Sequence, residues 1–195
     1  MISPETWLRL VGVRIEERPP SRMGRAGAKL VLHHDGVFVR VDKSLPLHLR
    51  EWNLWHEAAH VVDVTKPTPH GVRVGRIPLL GYGLISLKMA TALRRAEDFL
   101  VELTPCEQTV SLSGLPTMTM DQAFAHPEVT EAKKSWLRRR MFDRRARHLR
   151  YKTQPIELFA EAVACAICDP GKLEANAPGL LEELRATCEG TGLPL

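Results

Sequence analysis

An α+β fold, with a small antiparallel sheet at the N-terminus and a helical C-terminal half, is the expectation from this chain, and two patterns carry it. Lys29-Leu30-Val31-Leu32-His33 and Val37-Phe38-Val39-Arg40-Val41 are β-prone runs joined through His34-Asp35-Gly36, and an Asp-Gly between such runs is a strong hairpin signal. Further on, Leu47, Trp52, Trp55, Ala59 and Val62 recur at the spacing of one helical face.

The remaining elements follow in order. Residues 7–16 (WLRLVGVRIE) give a further strand or a helix leading into one. Ser44 is a fitting N-cap with Pro46 tolerated in the first turn, and Thr65-Lys66-Pro67-Thr68-Pro69 ends the helix so begun. A Pro/Gly-rich loop over 67–83 precedes a second helix over 84–103, an irregular segment to about His126 and a basic helix over 129–149. Gln154-Pro155 opens a helix (IELFAEAVACAI) that Asp169-Pro170-Gly171 closes, and GLLEELRATC forms a short amphipathic helix ending at Gly190. With no internal repeat and no long linker, one domain over 1–195 is expected: a sheet-rich part (1–43), a site-bearing helix (44–64), a helical insertion (65–150) and C-terminal helices (151–195).

At 195 residues, 44% hydrophobic and 26% charged, the chain can bury a core of its own. The first 25 residues hold no uninterrupted apolar run after a basic start, so a soluble, cytoplasmic protein without export signal or membrane span is expected. Delivery by a non-classical route is compatible with this. Cys106, Cys165, Cys168 and Cys188 then read as free thiols, and the helical Cys165-Ala-Ile-Cys168, lacking a second pair, reads as small buried thiols. The net charge of +4 is unevenly spread: ten Lys and Arg face one acid, Asp143, between Lys133 and Lys152.

The stretch LWHEAAHVVD (54–63) holds the chemistry. On a helix, His56 and His60 project from one face one turn apart, close enough for both imidazoles to reach one tetrahedral ion. Glu57 can approach the remaining coordination position without becoming a ligand. Zinc lowers the pKa of a bound water, Glu57 takes its proton and later passes it to a departing amine: the chemistry of peptide hydrolysis. A catalytic zinc usually has three protein ligands. Asp63, three residues after His60, is too short and too near for the third place and suits an orienting or capping role. Glu157, on a different helix with Glu161 one turn later, closes a tripod better.

His56-Glu57-Ala58-Ala59-His60-Val61-Val62-Asp63, followed by Tyr151 and Glu157-Leu158-Phe159-Ala160-Glu161-Ala162, resembles the catalytic domain of anthrax toxin lethal factor and the related clostridial Pro-Pro endopeptidases. The resemblance covers about 30 of the 195 residues. It implies a zincin-like fold, Zn2+ as cofactor, His56, His60 and Glu157 as its ligands, and Glu57 as catalytic base. It further implies Glu161 as the acceptor that orients a ligand histidine and Tyr151 as hydroxyl donor to the tetrahedral oxyanion. Tyr151 stands six residues before Glu157, one fewer than in the family pattern, and 96 residues separate His60 from Glu157. Tyr82, between two glycines, is a substitute donor.

The expected activity is a zinc-dependent endopeptidase acting on a protein or peptide. The alternatives are a zinc-binding structural or partner-binding protein without turnover, of a phage or toxin assembly, and a regulatory protease linked to nucleic acid. The basic segment 133–152 is read first as a solvated helix with Trp136, Leu137, Met141 and Leu149 on the core side, next as a site for an acidic partner, and last as a phosphate-binding face. His33, His34, His48, His70, His126 and His148 are expected at the surface or in loops rather than as ligands.

Overall fold

The computed structural model describes residues 2–23, 27–65, 73–74, 77–78, 87–103, 109–110, 112, 115, 118–138 and 151–195. Its helices are α1 (Pro4–Leu10), α2 (Pro20–Met23), α3 (Leu47–Thr65), α4 (Leu87–Arg95), α5 (Glu97–Glu102), α6 (Met120–Ala125), α7 (131–138), α8 (Pro155–Cys168), α9 (Pro170–Asn176) and α10 (Leu180–Thr187). Its strands are β1 (Arg14–Arg18), β2 (Ala28–His33), β3 (Gly36–Asp42), β4 (Arg73–Val74), β5 (Ile77–Pro78), β6 (Thr109–Val110) and β7 (Met118–Thr119). The architecture is mixed α+β, with a three-stranded N-terminal sheet and a mostly helical C-terminal half. Two compact units form, Met1–Leu103 with Gln154–Leu195, and Thr104–Thr153.

In the first unit the chain enters through a capped helix: the Ser3 hydroxyl accepts from the Thr6 N–H at 3.2 Å and Pro4 sits in the first turn, where no N–H is missed. Gly12, at φ 82°, then turns the chain into β1. The 7–16 stretch is therefore a helix leading into a strand. The hairpin forms with Leu30 opposite Val39 and His33 opposite Gly36. β1, however, pairs with β3 in parallel, Arg14 opposite Phe38, and the order is β1-β3-β2, so the expected antiparallel sheet is a mixed one. The tight His34-Asp35-Gly36 turn pairs β2 directly with β3, while the connection from β1 to β2 includes α2, leaving β1 to take the far side of β3. Val39 and Val41 are fully buried, and Arg40 between them turns to the other face, where Glu16 accepts from its Nε at 3.0 Å.

α3 begins one residue after Pro46, whose carbonyl accepts from the Arg50 N–H at 2.9 Å. Ser44 does not cap it: its hydroxyl and its N–H both donate to the Asp42 carboxylate, at 2.7 and 2.8 Å, making a turn that β3 and α3 share. Arg50 locks the helix to its surroundings by reaching Glu5 of α1 at 3.1 Å and Glu17 of β1 at 2.8 Å.

α8 is buried from Ile156 to Ile167, and α3 packs along it. Ala58, Ala59, Ala160, Ala162 and Ala164 are all buried in one core with Leu54, Phe159 and Val163, and small side chains let two helix backbones approach closely. The helix expected over 84–103 is two, α4 and α5, meeting at Ala96; 84–86 lie outside the described residues. Met89, Leu93, Ala96 and Leu100 all stay buried through the junction, where the Ala96 N–H is shared between the Ala92 and Leu93 carbonyls at 3.2 Å, so the apolar stripe continues across it. Asp169 does more than end α8: its side chain accepts from the Lys172 N–H at 3.0 Å and so opens α9, an element the sequence reading lacked.

The second unit holds the β6–β7 ribbon, α6, α7 and the helical pair Tyr151 and Lys152, around a small core of Leu112, Ala123, Val129 and Leu137. Leu137 faces that core as expected, whereas Trp136 is 40% exposed under the Lys133 ammonium, 5.2 Å from the ring centroid. Met141 and Leu149 lie outside the described residues. Among the described residues, no helix is long and apolar enough to cross a membrane.

Candidate metal centre

Helical periodicity does the first part of the construction. His56 and His60 stand one turn apart on α3, their rings nearly perpendicular at 78°, with Nε2 atoms 3.2 Å apart. α8 supplies the second part: Glu157, in its first turn, sets Oε2 3.4 Å from His56 Nε2 and Oε1 3.5 Å from His60 Nε2. Two donors each about 2.05 Å from a tetrahedral ion stand about 3.3 Å apart. The separations of 3.2, 3.4 and 3.5 Å are those of ligands arranged around one centre, and the cluster can hold a divalent metal. Side-chain exposures of 15% for His56, 12% for His60 and 8% for Glu157 keep the donors out of bulk water while leaving them reachable.

The rungs continue along both helices. Glu161, one turn beyond Glu157 and buried, faces His56 Nδ1 with Oε1 at 3.7 Å and accepts from the Trp52 indole N–H with Oε2 at 3.1 Å. Glu57, also buried, accepts from the Leu30 backbone N–H at 2.6 Å and so ties α3 to strand β2.

These groups set one another's protonation. Burial works against a charge on His56, but the Glu157 and Glu161 carboxylates beside it, at 3.4 and 3.7 Å, and the pull of Glu57 outweigh it, lifting the imidazole to about 10. His60, desolvated and repelled by His56 against the attraction of Glu157 and Glu161, falls to about 4. Burial pushes Glu57 up to about 7; His56 and the Leu30 N–H oppose the rise, and Glu157 and Glu161 add to it. At neutral pH the imidazole pair therefore carries one positive charge, on His56, and Glu57 is poised between its two forms.

No family model, curated protein or solved structure matches the chain.

Of the other expected site residues the structure describes only some. Tyr151 belongs to the second unit and is 51% exposed. Asp63 is helical at the end of α3, but its side chain lies outside the described residues, as do Tyr82, Cys106, His70 and His148. His33 and His34 are exposed on the hairpin, paired with Asp35 at 3.2 and 2.7 Å; with it they form a second group of three possible donors. Cys165 is buried, its thiol pushed to about 12 by burial with Asp169 adding to the rise, whereas Cys168 is exposed and not the buried thiol expected. Two contributors escaped sequence reasoning, Leu30 and Trp52. The first acts through its backbone and leaves no residue signal; the second stands four residues before His56, a spacing that marks it only once Glu161 is known to face that side.

Proposed function

We propose that this protein is a zinc-dependent peptidase whose centre is built on α3 and α8. The observation that carries the reading is the convergence of His56 Nε2, His60 Nε2 and the Glu157 carboxylate at tetrahedral-edge spacing. Two imidazoles and one carboxylate form a donor set suited to zinc, and three protein donors leave a coordination position for chemistry, the pattern of catalytic rather than structural sites. Zinc bound there supplies Lewis acidity, making water more acidic and a carbonyl more electrophilic. Glu57 takes a proton from water and returns it to the departing amine. Its burial, which raises the carboxyl's proton affinity, favours holding that proton between the two steps.

A peptide is the favoured substrate because of β2. Among the described residues it is one of the two outer strands of its sheet, and the Leu30 N–H points away from the ladder toward Glu57. By the two-residue period, the Leu32 backbone groups point the same way, offering an edge to which an extended chain can add beside the catalytic carboxylate. The resemblance to lethal factor adds a zincin-like fold. The basic segment beginning at Lys133, with Lys133 and Arg138 exposed, suits an acidic partner.

A second reading is a metal-binding protein without turnover. It is favoured by the composition of the tight donor cluster, which holds His56, His60 and Glu157 but not Glu57, one of whose oxygens is engaged by Leu30. The deciding experiment is metal analysis of wild type beside Glu157→Ala, followed by a peptide-library cleavage assay of wild type beside Glu57→Gln. Stoichiometric zinc lost in Glu157→Ala, with cleavage lost in Glu57→Gln, supports the peptidase. Zinc without cleavage supports the second reading, and no zinc in wild type removes both.

A further inference from the structure

The polar contacts between α3 and α8 form a ladder whose last rung has no place in the metal-binding tripod. Moving along α3 from His60 to His56 to Trp52, two turns, the partners on α8 run from Glu157 to Glu161, one turn, so the two helices are antiparallel and His56 bridges both carboxylates. His60 meets Glu157, His56 meets both carboxylates, and Trp52 meets Glu161.

We infer that Trp52 is a positioning residue of the metal centre, acting through Glu161 on His56. This rests on the metal-binding part of the function proposed above. A carboxylate facing His56 can rotate about its own bonds, and a donor on its second oxygen restricts that rotation. The Trp52 indole N–H, a donor only, engages Oε2 at 3.1 Å and so presents Oε1 to His56 Nδ1. That orientation favours a proton on Nδ1, so that Nε2, the atom on the side of Glu157 and His60, is the one His56 would offer to a metal ion. Trp52 is half-buried on the same turn-to-turn face as His56, so its ring can hold this position without strain on α3. Phenylalanine at the same place would keep the apolar body and lose the donor.

The test is titration of Zn2+ against a competing chelator for wild type, Trp52→Phe, Glu161→Gln and the double variant, with thermal unfolding of each metal-free protein alongside. Trp52→Phe is expected to weaken zinc binding by about tenfold or more, the scale seen when a partner orienting a ligand histidine is lost. The metal-free melting temperature should stay close to wild type. In the double variant the loss should equal that of Glu161→Gln alone, because the two residues act in series. Wild-type affinity in Trp52→Phe overturns the inference and leaves the metal centre standing, as does a loss that simply adds to that of Glu161→Gln. Wild type that takes up no zinc overturns the metal centre itself, and this inference with it.

Discussion

Glu157 Oε2 lies 3.4 Å from His56 Nε2, across the packed faces of α8 and α3, so a single carboxylate makes a two-residue motif on one helix into a three-donor centre. Replacing Glu157 with alanine should therefore reduce zinc affinity by at least a hundredfold, while circular dichroism shows the helices retained. Retention of stoichiometric zinc after exhaustive dialysis of that variant would remove Glu157 from the centre.

Glu57→Gln separates binding from turnover. The amide keeps the side-chain volume and still offers an oxygen to the Leu30 N–H, but it cannot take a proton. Zinc content should match wild type, and the rate of peptide cleavage should fall by about 10²–10⁴-fold. Full activity in this variant would mean that another group moves the proton.

Metal uptake should release protons. In the metal-free protein His56 is raised to about 10 and is charged at neutral pH, and it must lose that proton to donate from Nε2; His60, lowered to about 4, is already neutral. The sign follows: apparent zinc affinity rises with pH, by about tenfold per unit, between roughly the His60 and His56 values. Calorimetric titration in buffers of different ionisation enthalpy should report about one proton released per ion at pH 7. An enthalpy independent of buffer would show that His56 is neutral beforehand.

The core under the centre should be as sensitive as its burial suggests. Phe159 is fully buried between the two glutamates of α8 in sequence, and truncation to alanine removes a large side chain from a packed interior. Urea denaturation of the metal-free protein should show a loss of about 3–5 kcal/mol. A loss below about 1 kcal/mol would mean that the α3–α8 interface is loosely packed.

Local signals were the legible ones. The His34-Asp35-Gly36 turn announces its hairpin because an Asp-Gly step and the strand period are properties of neighbouring residues, and the i, i+4 spacing of His56 and His60 follows from helix geometry in the same way. Capping was harder to read. Ser44 beside a helix start is a good N-cap on paper, yet the Asp42 carboxylate two residues away is the stronger partner and captures both its donors. At Asp169 one residue closes α8 through its backbone N–H, bonded to the Cys165 carbonyl, and opens a new helix through its side chain, because the residues that end one helix also suit the start of another.

The chain alone thus specifies the hairpin, the helix that carries HEAAH and the broad division into sheet and helices, all settled by contacts a few residues apart. Tertiary packing decides the parallel placement of β1 against β3, the break at Ala96, the rung from Trp52 to Glu161 and the hold of Leu30 on Glu57. Each of those joins groups whose separation along the chain carries no period, and Trp52 and Glu161 are 109 residues apart. Such contacts form only when burial of a shared core brings the elements together, and it is there that two histidines on a helix gain the carboxylates that can make them a metal centre.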